Sequence, residues 1–108
     1  MKQIKLLAVL MALVFVCTSA TKHKTTTIFI IGDSTAANKD ISNGKKERGW
    51  GMALQACVDP EYIVVDNHAV NGRSSKSFIN EGRWDKVLSL IKPGDYVIIQ
   101  FGHNDEKP

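Results

Sequence analysis

An α/β fold with a parallel sheet is predicted by two features of the sequence. Three short runs, nearly all apolar, alternate with amphipathic segments, and each run ends in a polar cluster containing glycine. Strands apolar along their length are those covered on both faces, and a β-α-β-α-β order is that of a parallel α/β sheet. Consecutive parallel strands end on one edge of the sheet, where ligand sites of open α/β folds lie. The three polar clusters are therefore expected to be neighbours in space.

The chain opens with a short basic stretch, "MKQIK", and an unbroken apolar run from Leu6 to Val16. "CTSA" then offers small residues for cleavage after Ala20. That layout is a secretory signal peptide over residues 1–20, and the run is too short for a membrane span. An uncleaved N-terminal anchor is the alternative. A lipoprotein anchor at Cys17 is disfavoured because Phe15 and Val16, not small residues, precede it. Secretion or a periplasmic location follows, with no stable membrane span after cleavage.

Without Lys2 and Lys5 the 14 basic residues become 12, against 11 acidic ones, a net charge of +1. Nucleic-acid binding needs clustered positive charge interleaved with aromatics, and neither "KHK" nor "GKKER" supplies it. Cys57 is the one cysteine left after cleavage, so no disulfide framework exists, and no metal-ligand spacing occurs. Its apolar setting, "GMALQACV", predicts a buried free thiol.

Residues 21–26 are polar and expected to be disordered, and 27–108 to form the folded unit. "TTIFII", Thr26 to Ile31, is the first strand, ending in "GDST". A polar loop leads to "GWGMALQACV", with Trp50, Ala53, Leu54 and Cys57 at helical spacing, and Asp59-Pro60 stops the helix. "YIVVDNHAV" is the second strand, followed by "NGRSSKSF". A second helical segment presents Trp84, Val87, Leu88 and Ile91 on one face. Pro93-Gly94-Asp95 then turns into the third strand, "YVIIQF". The chain has no repeats and no low-complexity tracts.

A serine just past a buried strand is held rigidly at the strand's tip, and its own N–H is free to bind an oxyanion. Ser34 fits this role, although Asp33 and Ser34 also suit a turn cap. Gly72 permits positive φ or close approach of a ligand to its N–H, and an Asn-Gly turn is the plain alternative. Arg73 is a candidate for an anionic substrate, with helix capping or a carboxylate partner as the alternative, and Asp33 is a second candidate substrate contact. Asn104 offers a side-chain amide as oxyanion donor, or a simple turn. His103 lies near the serine, but a general base must itself be oriented, so a loop-shaping role suits it better. Together the clusters suggest acyl transfer, with Ser34 as nucleophile and Ser34 N–H, Gly72 N–H and the Asn104 amide around one oxygen.

"GDST", the glycine of "NGRSSKSF" and "GHND" resemble, in order and spacing, the first three blocks of the SGNH hydrolases, or GDSL-type esterases. With "RGWG" and "GRSSKSF" included, the likeness is greatest to the rhamnogalacturonan acetylesterase branch, and it runs from Thr27 to Asp105. The resemblance implies a flavodoxin-like three-layer α/β/α sandwich and cofactor-free, metal-independent removal of acetyl groups from pectic polysaccharide. It also implies Ser34 as nucleophile and Gly72 and Asn104 as completing the oxyanion hole.

The family's fourth element, a C-terminal Asp-x-x-His supplying the base and its orienting carboxylate, does not follow Asp105; only "EKP" does. His23 falls in the polar tail and His68 in strand two. Family members have about five strands, whereas three strands leave an edge and apolar surface uncovered. The expectation is an N-terminal portion of a longer esterase that is poorly folded and shows no turnover when made alone. A non-catalytic, secreted carbohydrate-binding or surface protein on the same scaffold is the competing class. Esterases for xylan, other acetylated sugars or lipids remain open, because fold and triad serve many esters. A nucleotide binder is disfavoured, since the first loop lacks a glycine-rich phosphate cradle and the P-loop lysine pattern.

Overall fold

The computed structural model describes residues 1–17 and 23–107, with the side chains of 12–17 left aside. The expected cleavage point after Ala20 and the tail residues Thr21 and Lys22 lie outside the described residues. The apolar N-terminal run forms helix α1, Lys2–Cys17, with Ile4, Leu7 and Met11 exposed. Among the described residues no helix is long and apolar enough to cross a membrane.

Three strands, β1 (Thr26–Gly32), β2 (Ile63–Asn67) and β3 (Tyr96–Gln100), make one sheet. All pairings are parallel and the order is β2-β1-β3. This is the order of the first three strands in a flavodoxin-like sheet, and it places the most apolar strand in the centre. Phe29, Ile30 and Ile31 of β1 are buried accordingly. Thr26, where the polar tail meets the expected strand, pairs with Ile63 as the strand's first residue.

Side chains alternate across a strand, so Phe29 and Ile31 share one face. There they join Phe78 and Val87, with Val70, Trp84, Ile91, Val97 and Phe101 around them. Phe78 and Phe101 meet edge to face at 5.3 Å between ring centroids, the arrangement that aromatic quadrupoles favour. Ile30 points the other way, beside its register partner Asn67. On that side the backbone of α2, Trp50–Leu54, comes close, and a Cβ on Gly51 would overlap Asn67 Nδ2.

Five expectations are corrected. The helix after Gly49 has only five α-helical residues before tightening into a 3-10 turn over Gln55–Cys57. That tightening carries Cys57 off the packed face, and its thiol is exposed rather than buried. The second helical segment is two helices, α3 (Ser75–Asn80) and α4 (Arg83–Leu90), separated by Gly82 in the left-handed region at φ 70°. Trp84, Val87 and Ile91 face the sheet, but Leu88, one position beyond that stripe, is 54% exposed. Finally, β2 ends at Asn67, so His68 lies just past the strand rather than within it.

Candidate active site at the strand ends

Past Gly32 the chain makes a tight turn, with the N–H groups of Ala36 and Ala37 both bonding Asp33 O at 3.2 and 3.1 Å. Ser34 sits in this turn, half-buried. The turn is fixed from three sides. Asp33 N–H donates to Gln100 O of β3 at 3.2 Å, and Trp50 N–H and Gly51 N–H donate to Thr35 O and Ala36 O at 2.9 and 3.2 Å. From β2, Asn67 Nδ2 donates to Ala36 O at 2.8 Å and to Asn38 Oδ1 at 2.9 Å.

Asp33 is wholly buried. Its Oδ1 accepts from Thr35 N–H at 3.0 Å and from the Thr35 hydroxyl at 2.8 Å, and that hydroxyl also touches the Gln100 side-chain oxygen. Burial, the largest single influence, pushes the Asp33 carboxyl up. The two Thr35 hydrogen bonds, with His103 helping through its charge and its N–H, outweigh burial and hold the carboxyl below its ordinary value. Asp33 therefore shapes the turn beneath Ser34 and lies out of reach of a ligand at the surface.

Gly72 adopts φ 73°, the left-handed conformation that only glycine takes at little cost, and nothing lies within 4 Å of where a Cβ would stand. Its flanks are pinned. Arg73 Nε bonds Glu81 Oε2 at 3.2 Å and its Nη1 bonds Asn71 O at 3.0 Å, so Arg73 has taken a carboxylate partner. Ser74 caps α3 reciprocally with Ser77, at 3.0 Å for Ser77 N–H to Ser74 Oγ and 2.9 Å for the return bond.

Asn104 is buried, and its Nδ2 donates to Arg73 O at 3.1 Å. An amide carries two hydrogens, so a second one is left to donate elsewhere. Lys107 Nζ donates to Asn104 Oδ1 at 2.9 Å, which fixes the amide's orientation. The next residue, Asp105, accepts from Ser75 N–H at 2.6 Å and from the Ser75 hydroxyl at 3.0 Å. A carboxylate at that place satisfies helix N-terminal donors.

The three clusters are thus joined: β1 to β3 through Asp33, Thr35 and Gln100, and the Gly72 block to the Asn104 block through Arg73 O and Ser75. Sequence inspection missed Asn67, Gln100, Asp105 and the packing role of Gly51 and of Gly49, where a Cβ would overlap Ala36 and Ala37 O. Asp105 stood inside the quoted "GHND", and its neighbourhood to "GRSS" in the folded chain was the available signal. His68 Nε2 comes to 2.9 Å from Asp66 Oδ2 without hydrogen-bond alignment. Among the described residues no group of three metal-ligating side chains is found.

A parallel α/β sheet with a serine turn, a left-handed glycine and an oriented asparagine amide at its carboxyl edge is the layout of an open α/β fold with its candidate site at the strand ends. The chain belongs to the GDSL-like lipase/acylhydrolase family, whose model matches residues 30–107. It is 42% identical over 78 residues to the probable rhamnogalacturonan acetylesterase YesY of Bacillus subtilis, covering 72% of this chain and 35% of that protein. With the rhamnogalacturonan acetylesterase RhgT of the same organism it shares 41% identity over 81 residues, 75% of this chain and 34% of RhgT. It also resembles the crystal structure of the B. subtilis YxiM protein, with a TM-score of 0.72 and 38% identity over 80% of this chain and 24% of that one. The chain thus spans between 22% and 35% of the length of these curated relatives.

Proposed function

We propose that this chain carries the nucleophile and oxyanion-hole half of a secreted acetylesterase acting on acetylated pectic polysaccharide, rhamnogalacturonan foremost. The observation that carries this is the Asn104 amide fixed on Arg73 O, beside the left-handed Gly72. Two donors of different kinds are thereby held at the edge where the Ser34 turn ends.

In the proposed reaction Ser34 Oγ attacks the acetyl carbonyl carbon and the carbonyl oxygen becomes an oxyanion. Ser34 N–H, Gly72 N–H and the second Asn104 Nδ2 hydrogen receive that charge, each donor contributing roughly 10²–10³ in rate. The sugar hydroxyl leaves, and water then hydrolyses the acetyl-serine. The serine proton needs a base oriented by a carboxylate, as an Asp-x-x-His pair would provide. The similarity to RhgT and YesY supports the substrate class, and the apolar, positively headed N-terminal segment supports export with cleavage after Ala20.

The test joins residues 26–107 to the remaining portion of RhgT. Acetate release from acetylated rhamnogalacturonan is expected to exceed that from acetyl-xylan, and Ser34→Ala is expected to lower kcat by at least ~10³-fold. A folded, polysaccharide-binding but inactive graft would favour the non-catalytic alternative. Residues 21–108 made alone are expected to release no acetate above background.

A further inference from the structure

Lys39 stands five residues after Ser34, in the polar loop between β1 and α2. Its side chain is nevertheless just 5% exposed. Its ammonium donates to Asn71 Oδ1 at 2.6 Å and pairs with Glu47 Oε1 at 3.2 Å. Its backbone N–H bonds Met52 Sδ in α2 at 3.2 Å, the helix whose first N–H groups hold the Ser34 turn. A desolvated ammonium is costly unless paired and hydrogen-bonded. Here the Glu47 carboxylate, itself 75% exposed, supplies the counter-charge and the Asn71 amide the directional bond.

We infer that Lys39 is a positioning residue for the oxyanion site: it braces the Asn71-Gly72 turn against the Ser34 turn and so sets the direction of the Gly72 N–H. The inference rests on the acyl-transfer role proposed for Gly72. Asn71 is gripped by Lys39 at its side chain and by Arg73 at its carbonyl, while Val70 N–H bonds Gly32 O at 3.0 Å at the start of the turn. The first and second blocks are separated by a long stretch of sequence, and Lys39 is the side chain that carries a charge-assisted bond between them. A left-handed glycine has little intrinsic preference for one orientation, so an external brace decides where its N–H points.

The test reads amide hydrogen exchange and ¹⁵N relaxation in the full chain, with no turnover measured. The reporter is the Arg73 amide, which closes the turn onto Val70 O at 3.4 Å. In Lys39→Met, exchange at Arg73 is expected to quicken about tenfold, the effect of losing one charge-assisted bond, and Gly72 to gain fast motion. The Ile30 and Ile98 amides of the sheet should be unaffected, and Lys39→Arg should restore most of the protection. Unchanged Arg73 exchange in Lys39→Met, or uniform acceleration through the sheet, overturns the inference. So does an unaltered chain in which the Arg73 amide has no protection. Should Lys39→Met not fold, Glu47→Gln at the exposed partner carries the test, with about threefold faster exchange expected at Arg73 and no change overturning it. Failure of Ser34-dependent hydrolysis in the graft would remove the esterase role and leave this result standing.

Discussion

Asp33 has one carboxylate oxygen bonded twice by Thr35, while the other, buried Oδ2, has no partner among the described residues. Ionisation is nonetheless favoured in the folded chain, because those bonds and His103 outweigh the cost of burial. The unfolded chain then takes up the proton at higher pH than the folded one. Asp33 thus contributes stability that is present above its ordinary carboxylate pKa and lost as pH falls through the lower folded value. Asp95, held low by the N–H groups of Thr27 and Lys92, acts in the same direction. Urea midpoints are expected to fall as pH drops below about 4, and Asp33→Asn to flatten part of that slope. At neutral pH the same substitution is expected to cost about 1–3 kcal/mol, since its amide would bring a buried donor to the Oδ2 position without an acceptor. Parallel acid slopes for the two proteins would refute the account.

The elements that matter most for the site are short. Helix α2 has five residues, too few to persist without tertiary support, yet its first N–H groups clamp the Ser34 turn. Its approach is possible because Gly51 has no side chain: a Cβ there would overlap Asn67 Nδ2 and come within 2.5 Å of Ala36 O. Gly51→Ala is expected to destabilise the chain by roughly 1–3 kcal/mol through backbone displacement. In the grafted esterase it should lower kcat more than it raises KM, because the turn bearing Ser34 must move. Equal stability in thermal melts would show that α2 is not locked as described. Gln55 illustrates a second use of a short element. Its side-chain amide bonds Ile63 O at 3.3 Å and Val65 N–H at 2.7 Å, occupying the outer edge of β2 as another strand would.

Among the described residues the sheet has one dressed edge and one bare one. The β3 side exposes Tyr96 at 66% and Ile99 at 63%. A cavity of about 190 Å³, lined by Ile31, Phe78, Ile79, Trp84, Ile99 and Phe101, opens beside Ile99. Open strand edges with apolar side chains promote association. Sedimentation is expected to show concentration-dependent self-association of the chain, and Ile99→Lys to reduce it with less than about 1 kcal/mol of stability lost, as for other exposed positions. Association unaffected by Ile99→Lys would place the contact elsewhere.

Much of this was legible in the residues. The apolar runs set the strands, their parallel order followed from the helices between them, and helical spacing foretold Val87, Trp84 and Ile91 on the packed face. The same patterns misplaced Cys57 and Leu88, because periodicity locates a stripe but not where a helix tightens or which flank finds a neighbour. Ser34, Gly72 and Asn104 could be named from their places after strands, because strand polarity alone sends those ends to one edge. What only the tertiary structure decided is how they are held there. Asp33 is buried beneath the turn, Arg73 is committed to Glu81, Asp105 caps α3, and Lys39 spans two blocks. These are long-range pairings of polar groups, set by which loops the sheet order brings together, and local sequence patterns carry no record of them.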